Sequence, residues 1–141
     1  MKNAVKEMNL PETLAANGSF KTLIQTLQAS GLIDILRNPD ISYTLFAPND
    51  KAFQPLMRDG TLQDLLKDNS RLSRLIGYHI LPHKVALAHV DGRKIFRTHT
   101  GQNLMINTVG NLLINAARVV RADIDCANGI LHEIDAVLSP K

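Results

Sequence analysis

The stretch TLFAPNDKAF, residues Thr44–Phe53, predicts a strand that turns directly into a helix. Thr44 to Ala47 form a short strand, and Pro48 ends it because proline has no N–H to donate to a neighbouring strand. Asn49 suits the N-cap position, where its side-chain oxygen accepts a hydrogen bond from the first helical turn. Pro48 and Phe53 have the spacing of a hydrophobic staple around that cap. The stretch therefore predicts a joint between sheet and helix, without a nucleophile that has an evident base beside it.

The chain on both sides of this joint has helical periodicity as far as about residue 80. Ser19 is a predicted N-cap, and Gly31 suits the left-handed position that closes a helix. A short second helix follows, and Thr61 is the predicted cap of a later one. The apolar residues that recur at helical spacing are Phe20, Leu23, Ile24, Leu27, Leu62, Leu65, Leu66, Leu72, Leu75 and Ile76.

After Pro82 the apolar residues alternate, which is typical of strands that are buried on one face. In the segment 119–126, alternation predicts that Val120, Ala122, Ile124 and Cys126 face the core, and that Val119, Arg121, Asp123 and Asp125 face solvent. Asn128-Gly129 is a strong hairpin signal, and Gly110-Asn111 is a second one. Helices followed by an antiparallel sheet predict a single domain of the α+β class.

Composition excludes several classes of protein. The chain has 141 residues, a net charge of +3 and one cysteine, Cys126, so it forms no internal disulfide. The sequence has no basic stripe with interleaved aromatics, so nothing in it indicates nucleic-acid binding. No segment has the length of a membrane span, and the first residues lack the apolar run of a signal peptide.

We predict no catalytic residue, no metal site and no cofactor. Pro82 separates His79 from His83 and breaks any helix that would bring them onto one face. The sequence has no cysteine cluster, no HExxH and no acidic calcium loop. It also lacks the G-x-S-x-G elbow of a serine hydrolase, and an inward Cys126 would be an inert thiol.

Three ordered motifs carry a family resemblance. They are YTLFAPNDKAF (43–53), YHILP (78–82) and NGILHEIDAVLSP (128–140). Together with the helical opening they resemble the signatures of fasciclin domains, the adhesion-type modules. The resemblance implies a wedge: a β-sandwich-like pair of antiparallel sheets with N-terminal helices packed along one side. We expect this domain to span residues 9–140, after a leader segment of residues 1–8.

The resemblance also indicates candidate binding residues. An Asp-Ile pair before the NG turn has been proposed to engage integrins in animal fasciclin domains, and Asp123-Ile124 stands at that place. The family's tyrosine–histidine pair, a proposed adhesion determinant, matches Tyr78-His79. Alternation nevertheless puts Ile124 in the core, which favours a solvated strand charge as the role of Asp123. The flanking aliphatics favour a buried, structural His79.

Other residues of the motifs are predicted to have structural roles. A buried imidazole needs a hydrogen-bond partner, and Thr44 is the predicted partner of His79. His132 lies on the apolar face of the last strand and is predicted to be structural. The residues of this class are Thr44, Phe46, Pro48, Asn49, Phe53, Gly129, His132 and Asp135.

The expected function is that of a non-enzymatic adhesion or surface-recognition module. Its single compact domain and lack of disulfides resemble the bacterial members of the family. It would bind a cell-surface protein or glycan, as a monomer, outside the cell or in the periplasm, with its export signal absent from this chain. The segment 83–99 is irregular and basic, so it suits either an acidic polysaccharide or membrane headgroup, or a solvated loop and edge strand. The alternative function is a small-ligand-binding protein or hydrolase that uses a cleft between helices and sheet.

Overall fold

The computed structural model of the protein describes residues 8–139, and the first half of this range is mainly helical. Residues 1–7 of the expected leader segment lie outside the described residues. The α-helices are α1 (Leu10–Asn17), α2 (Lys21–Ser30), α3 (Leu32–Ile35), α4 (Asp50–Arg58), α5 (Thr61–Leu66) and α6 (Asn69–Gly77), and a 3₁₀ turn covers Leu87–His89.

Seven strands form one mixed sheet in the order β2-β1-β7-β6-β5-β4-β3. Their bounds are β1 (Tyr43–Pro48), β2 (Ile80–Leu81), β3 (Arg93–Arg97), β4 (Asn103–Asn107), β5 (Leu113–Ile114), β6 (Ala117–Cys126) and β7 (Gly129–Ile134). The α+β class is confirmed. The expected pair of antiparallel sheets is not, because β6 pairs with β5 near its start and with β7 along the rest. β1 and β7 are moreover parallel.

The core has two parts, on opposite sides of the central strands. The first part lies between sheet and helices and includes Leu23, Leu27, Leu45 and Phe53. The second includes Phe46 of β1 and Ile134 of β7, with Leu104, Ile106 and Ile114 from the far strands. Every residue of β1 and β7 is buried, so this central pair is covered on both faces. Complete burial of each such Leu, Ile or Phe side chain contributes roughly 1.5–3 kcal/mol.

The helix caps show which local predictions hold. Asn49 caps α4, and its side-chain oxygen accepts from the Ala52 N–H at 3.0 Å. Gly31 closes α2 at φ +80°, as predicted. Ser19 does not cap α2; the Asp50 carboxylate accepts from the Thr22 N–H at 2.9 Å instead. The first residue of α4 therefore caps a neighbouring helix, which no local pattern reveals.

One further cap prediction is wrong, since Thr61 is the first residue of α5. Gly60 stands at the N-cap position of that helix, at φ +82° and without a side-chain cap. Asp59 accepts from the Thr61 N–H at 2.9 Å just before the helix.

The predicted β6–β7 hairpin forms, but its two tip residues are Ala127 and Asn128 instead of Asn128 and Gly129, and Gly129 is the first residue of β7. A Cβ on Gly129 would lie 2.0 Å from the Tyr43 carbonyl oxygen, so only glycine fits this approach of β1 to β7. The buried Asn128 side chain accepts from the Leu10 N–H at 3.0 Å and donates to the Leu36 carbonyl. The hairpin tip thus fixes the ends of two helices.

Candidate functional site

The motif residues converge on the connection between β2 and β3, residues 82–92, which we call the β2–β3 loop. Thr44 is fully buried on β1. Its hydroxyl donates to the His83 carbonyl and accepts from the Val85 N–H, each at 2.7 Å. The predicted Thr44–His79 hydrogen bond is therefore wrong, since both capacities of this hydroxyl are used by the loop.

His132 holds the same loop from β7. Its Nδ1 accepts from the Asp123 N–H at 2.9 Å, which leaves the proton on Nε2 to donate to the Val85 carbonyl at 2.9 Å. The ring stacks on Phe46 with a centroid distance of 5.5 Å. Burial lowers the pKa of His132 below 6.5, so the neutral imidazole persists. The inward, structural position predicted for His132 is the one the structure has.

Asp123 is a structural acceptor where alternation predicts a solvated charge. Its side chain is 30% exposed, and its carboxylate accepts from the Leu87 N–H at 2.6 Å and the Ala88 N–H at 3.0 Å. The reason is an irregularity in β6, which carries a bulge between Arg121 and Ile124. Asp123 sits in this bulge at φ +60°, a conformation that Asp adopts more readily than most residues.

The rest of β6 departs from simple alternation in part. Ile124 packs against the helix-lined core, as predicted. Val119 packs against the second core cluster, although it is predicted to face solvent. Val120, which is predicted to be buried, is 53% exposed. Alternation assumes a sheet with one buried face, whereas here each face is buried along a different part of the strand.

Tyr78 and His79 are both buried. His79 donates from Nδ1 to the Leu75 carbonyl and accepts at Nε2 from the Leu138 N–H, each at 2.9 Å. Complete burial lowers the pKa of His79 from 6.5 to about 4. The Tyr78 hydroxyl donates to the Asn103 carbonyl on β4. A direct contact of either side chain with a partner would require local opening of the core.

Glu133 of β7 is a buried acid. Its Oε2 accepts from the Asn49 side-chain amide at 2.9 Å, and its Oε1 lies 3.9 Å from the Arg121 Nε. Asp135, next along the chain on the same side, accepts from the Arg118 N–H at 2.9 Å. No local signal in the sequence reveals this contact, because Asn49 lies 84 residues before Glu133.

The described residues contain no group of three or more potential metal ligands. Burial raises the pKa of the Cys126 thiol, so this cysteine is an unreactive part of the core. Between residues 8 and 139, every helix is too short or too polar to cross a membrane.

Two surface pockets bear on the small-ligand alternative. One, of about 480 Å³, is lined by apolar residues that include Leu65, Leu75 and Val137 and by the charged residues Asp59, Arg71 and Arg74. The other, of about 750 Å³, lies beside β3 and β4 and reaches Tyr78. Neither is lined by His79 or His132, so the motif histidines face no cleft.

The basic segment 83–99 divides into two parts with different roles. The β2–β3 loop is held by the hydrogen bonds described above. Residues Arg93–Arg97 form β3, a regular strand at one edge of the sheet, so the prediction of an edge strand is confirmed. Its cationic side chains, Arg93, Lys94 and Arg97, are exposed.

Comparison with known proteins agrees with this architecture. The family model of the fasciclin domain matches residues 18–140. The protein sll1483 of Synechocystis is 32% identical over 94% of this chain and 74% of its own length. Human periostin is 29% identical over 95% of this chain, which corresponds to 16% of periostin. A structure of a FAS1 domain pair from the insect cell adhesion molecule fasciclin I superposes with a TM-score of 0.78 at 22% identity, over 96% of this chain and 52% of that one.

The fold and the motif network define a fasciclin-type module. The chain belongs to the fasciclin domain family. Fasciclin domains occur in cell-adhesion proteins, of which insect fasciclin I is one.

Proposed function

We propose that this protein is a non-enzymatic surface-recognition module that binds a macromolecular partner, a cell-surface protein or a glycan. We place it outside the cell or in the periplasm, as a monomer. One observation carries the proposal. The polar groups of the motif residues are hydrogen-bonded inside the domain, and no described side-chain N or O atom that is buried lacks a partner. A catalytic site would need such groups turned toward a cleft.

The mechanism is weak recognition by exposed strands and loops, multiplied by display of many copies on a surface. The test compares the soluble domain with beads that carry many copies, both offered to intact bacterial and animal cells. We expect the beads to be retained and the soluble domain to wash off. Pretreatment of the cells with protease or with glycosidases separates a protein partner from a glycan. Equal, negligible retention of coated and bare beads on every cell type would refute the proposal.

A variant of Asp123 is tested in the same experiment, because the family resemblance indicates the Asp-Ile pair as a candidate for direct contact with the partner. We expect Asp123→Asn beads to be retained like the parent whenever circular dichroism shows the domain to be folded. Complete loss of retention by a folded variant would instead assign Asp123 to the contact with the partner.

The second candidate, a small-ligand-binding protein, is favoured by one observation, the pocket at Arg71 and Arg74. The pocket combines apolar lining residues with two guanidinium groups against one carboxylate, that of Asp59, which suits an amphiphilic anion. Decanoate should raise the melting temperature of the parent but not of an Arg71→Ala/Arg74→Ala variant if this function holds. An unchanged melting temperature of the parent would exclude this ligand class.

A further inference from the structure

The outer side of β3 has no neighbouring strand, and the pairing of β3 with β4 shows which of its backbone groups point outward. The Thr98 N–H donates to the Gln102 carbonyl and the Thr108 N–H to the Gly92 carbonyl, each at 2.9 Å. In an antiparallel ladder the hydrogen-bonded pairs alternate, so even-numbered residues of β3 bond to β4. The N–H and C=O groups of Arg93, Ile95 and Arg97 therefore point away from the sheet.

On one face of β3, an exposed apolar side chain lies between two cationic side chains. Ile95 is 63% exposed, and it lies opposite Met105 of β4, which is also exposed. Arg93 and Arg97 lie on the same face as Ile95, two residues to either side. Within residues 8–139 neither arginine makes an ion pair.

Charge selects the occupant of this edge. The segment 91–97 carries Arg93, Lys94 and Arg97 against Asp91, a net charge of +2. A second copy that pairs antiparallel about Ile95 would bring each Arg93 opposite an Arg97, and like charges directly opposite destabilise a strand pair. An acidic strand would place carboxylates at these positions, so the edge disfavours self-association and suits an acidic segment.

We propose that β3 accepts an extended acidic segment of a partner protein as an eighth, antiparallel strand of the sheet. The segment would carry acidic, apolar and acidic residues at alternate positions. Its apolar residue would lie beside Ile95, and its carboxylates would lie beside Arg93 and Arg97. The backbone bonds supply affinity, and the charges and the apolar residue supply specificity. This inference rests on the proposed function, since it names the partner class and the surface.

The test measures binding of a labelled short peptide, in which Glu, Val and Glu alternate with Thr, by fluorescence anisotropy. The parent domain should bind it, and a peptide with Lys in place of Glu should not bind. Arg93→Glu/Arg97→Glu should weaken binding roughly tenfold or more, because attractive pairs become repulsive. Arg58→Glu/Lys67→Glu makes the same charge change at two exposed residues, the last residue of α4 and the C-cap of α5. It is the matched control and should leave the affinity unchanged to within about twofold.

The backbone is tested on the peptide, so that the domain stays unaltered. N-methylation of the Val nitrogen removes the bond to the Ile95 carbonyl and should weaken binding roughly tenfold. N-methylation of a flanking Thr nitrogen, which faces solvent, should have little effect. On the domain, Ile95→Pro removes an outward N–H and the Ile side chain without breaking a bond to β4, and it should abolish binding without loss of the fold. Ile95→Thr is its control: it also loses the apolar side chain but keeps the N–H, so it should bind more weakly than the parent and more tightly than Ile95→Pro.

Two results would overturn the proposal. One is absence of peptide binding; the other is binding that is insensitive to the position of the methyl group and is displaced by a heparin oligosaccharide. The second result would mean that the basic edge attracts polyanions through charge alone. The bead experiment is scored separately: retention on cells with no peptide binding refutes this inference and leaves the proposed function standing.

Discussion

Replacement of Asp123 by Ala separates a structural acceptor from a solvated charge. The carboxylate accepts from two N–H groups, those of Leu87 at 2.6 Å and Ala88 at 3.0 Å. Leu87 is buried, so its orphaned N–H costs about 1–3 kcal/mol, whereas the exposed Ala88 N–H regains water. Alanine also tolerates the φ of +60° less well than aspartate, by up to about 1 kcal/mol. We expect a loss of about 1–4 kcal/mol in the free energy of unfolding.

Asp125→Ala is the matched control, because it makes the same change two residues along the strand. Asp125 contacts only Lys84, at 3.4 Å between half-exposed side chains, and a pair of this kind contributes at most about 1 kcal/mol. Asp123→Asn keeps an acceptor and tolerates the positive φ, so we expect it to fall between the other two.

Urea denaturation followed by circular dichroism measures all three variants under one condition. For a chain of this size, each kcal/mol lowers the melting temperature by roughly 2–4 °C, so thermal melts give an independent check. Equal stability of Asp123→Ala and Asp125→Ala, within about 0.5 kcal/mol, would refute the assignment of Asp123 as an anchor of the β2–β3 loop.

Three further predictions test the interior. His79 has a pKa of about 4 in the folded chain against 6.5 when unfolded, so the unfolded chain binds the proton first as pH falls. Protonation of His79 in the unfolded chain should therefore lower the free energy of unfolding by about 2 kcal/mol between pH 7 and pH 5. The loss should shrink in His79→Gln, and equal pH slopes would contradict it. Thr44→Val removes both bonds to the loop and should cost about 1–3 kcal/mol in urea melts, whereas Thr44→Ser should cost less; equal losses would assign the effect to packing. Gly129→Ala forces a Cβ against the Tyr43 carbonyl and should lower the free energy of unfolding by roughly 2–4 kcal/mol. The control is Gly110→Ala, at a position with open space but also a positive φ, which should cost about 1 kcal/mol. Similar melting temperatures of the two variants would be inconsistent with the close approach.

The features that the sequence predicts well are those decided within a few residues. Asn49 caps the helix that follows it, Gly31 closes the helix before it, and the hairpin near Asn128 joins two alternating strands. Each depends on contacts across one turn of chain, where side-chain chemistry and backbone conformation are tied together. The α+β class follows from the same local periodicities.

The features that the sequence does not predict depend on contacts between residues that are far apart in the chain. His79 bonds to Leu138, 59 residues away, and Asp50 caps a helix whose Thr22 lies 28 residues before it. The sequence also does not predict that β7 runs parallel to β1, since a fully buried strand has the same pattern in parallel and antiparallel sheets. A bulge has no reliable signature either, and it is the bulge in β6 that turns Asp123 from solvent to the loop.

The two adhesion-type motifs contact the elements on either side of the open edge of β3, so we infer that they would act on the proposed peptide binding through the fold and not by direct contact. Asp123 holds the loop that leads into β3, and Tyr78 donates to Asn103 on β4, the strand that pairs with β3. Both motifs therefore brace the elements that position the open edge. On this reasoning a change in either motif weakens binding of the acidic peptide only to the extent that it destabilises or displaces β3. Peptide affinity at a temperature where Asp123→Asn is fully folded should match that of the parent within about twofold, since the variant keeps an acceptor for the loop. A large affinity loss in that folded variant would place the Asp-Ile pair in contact with the partner.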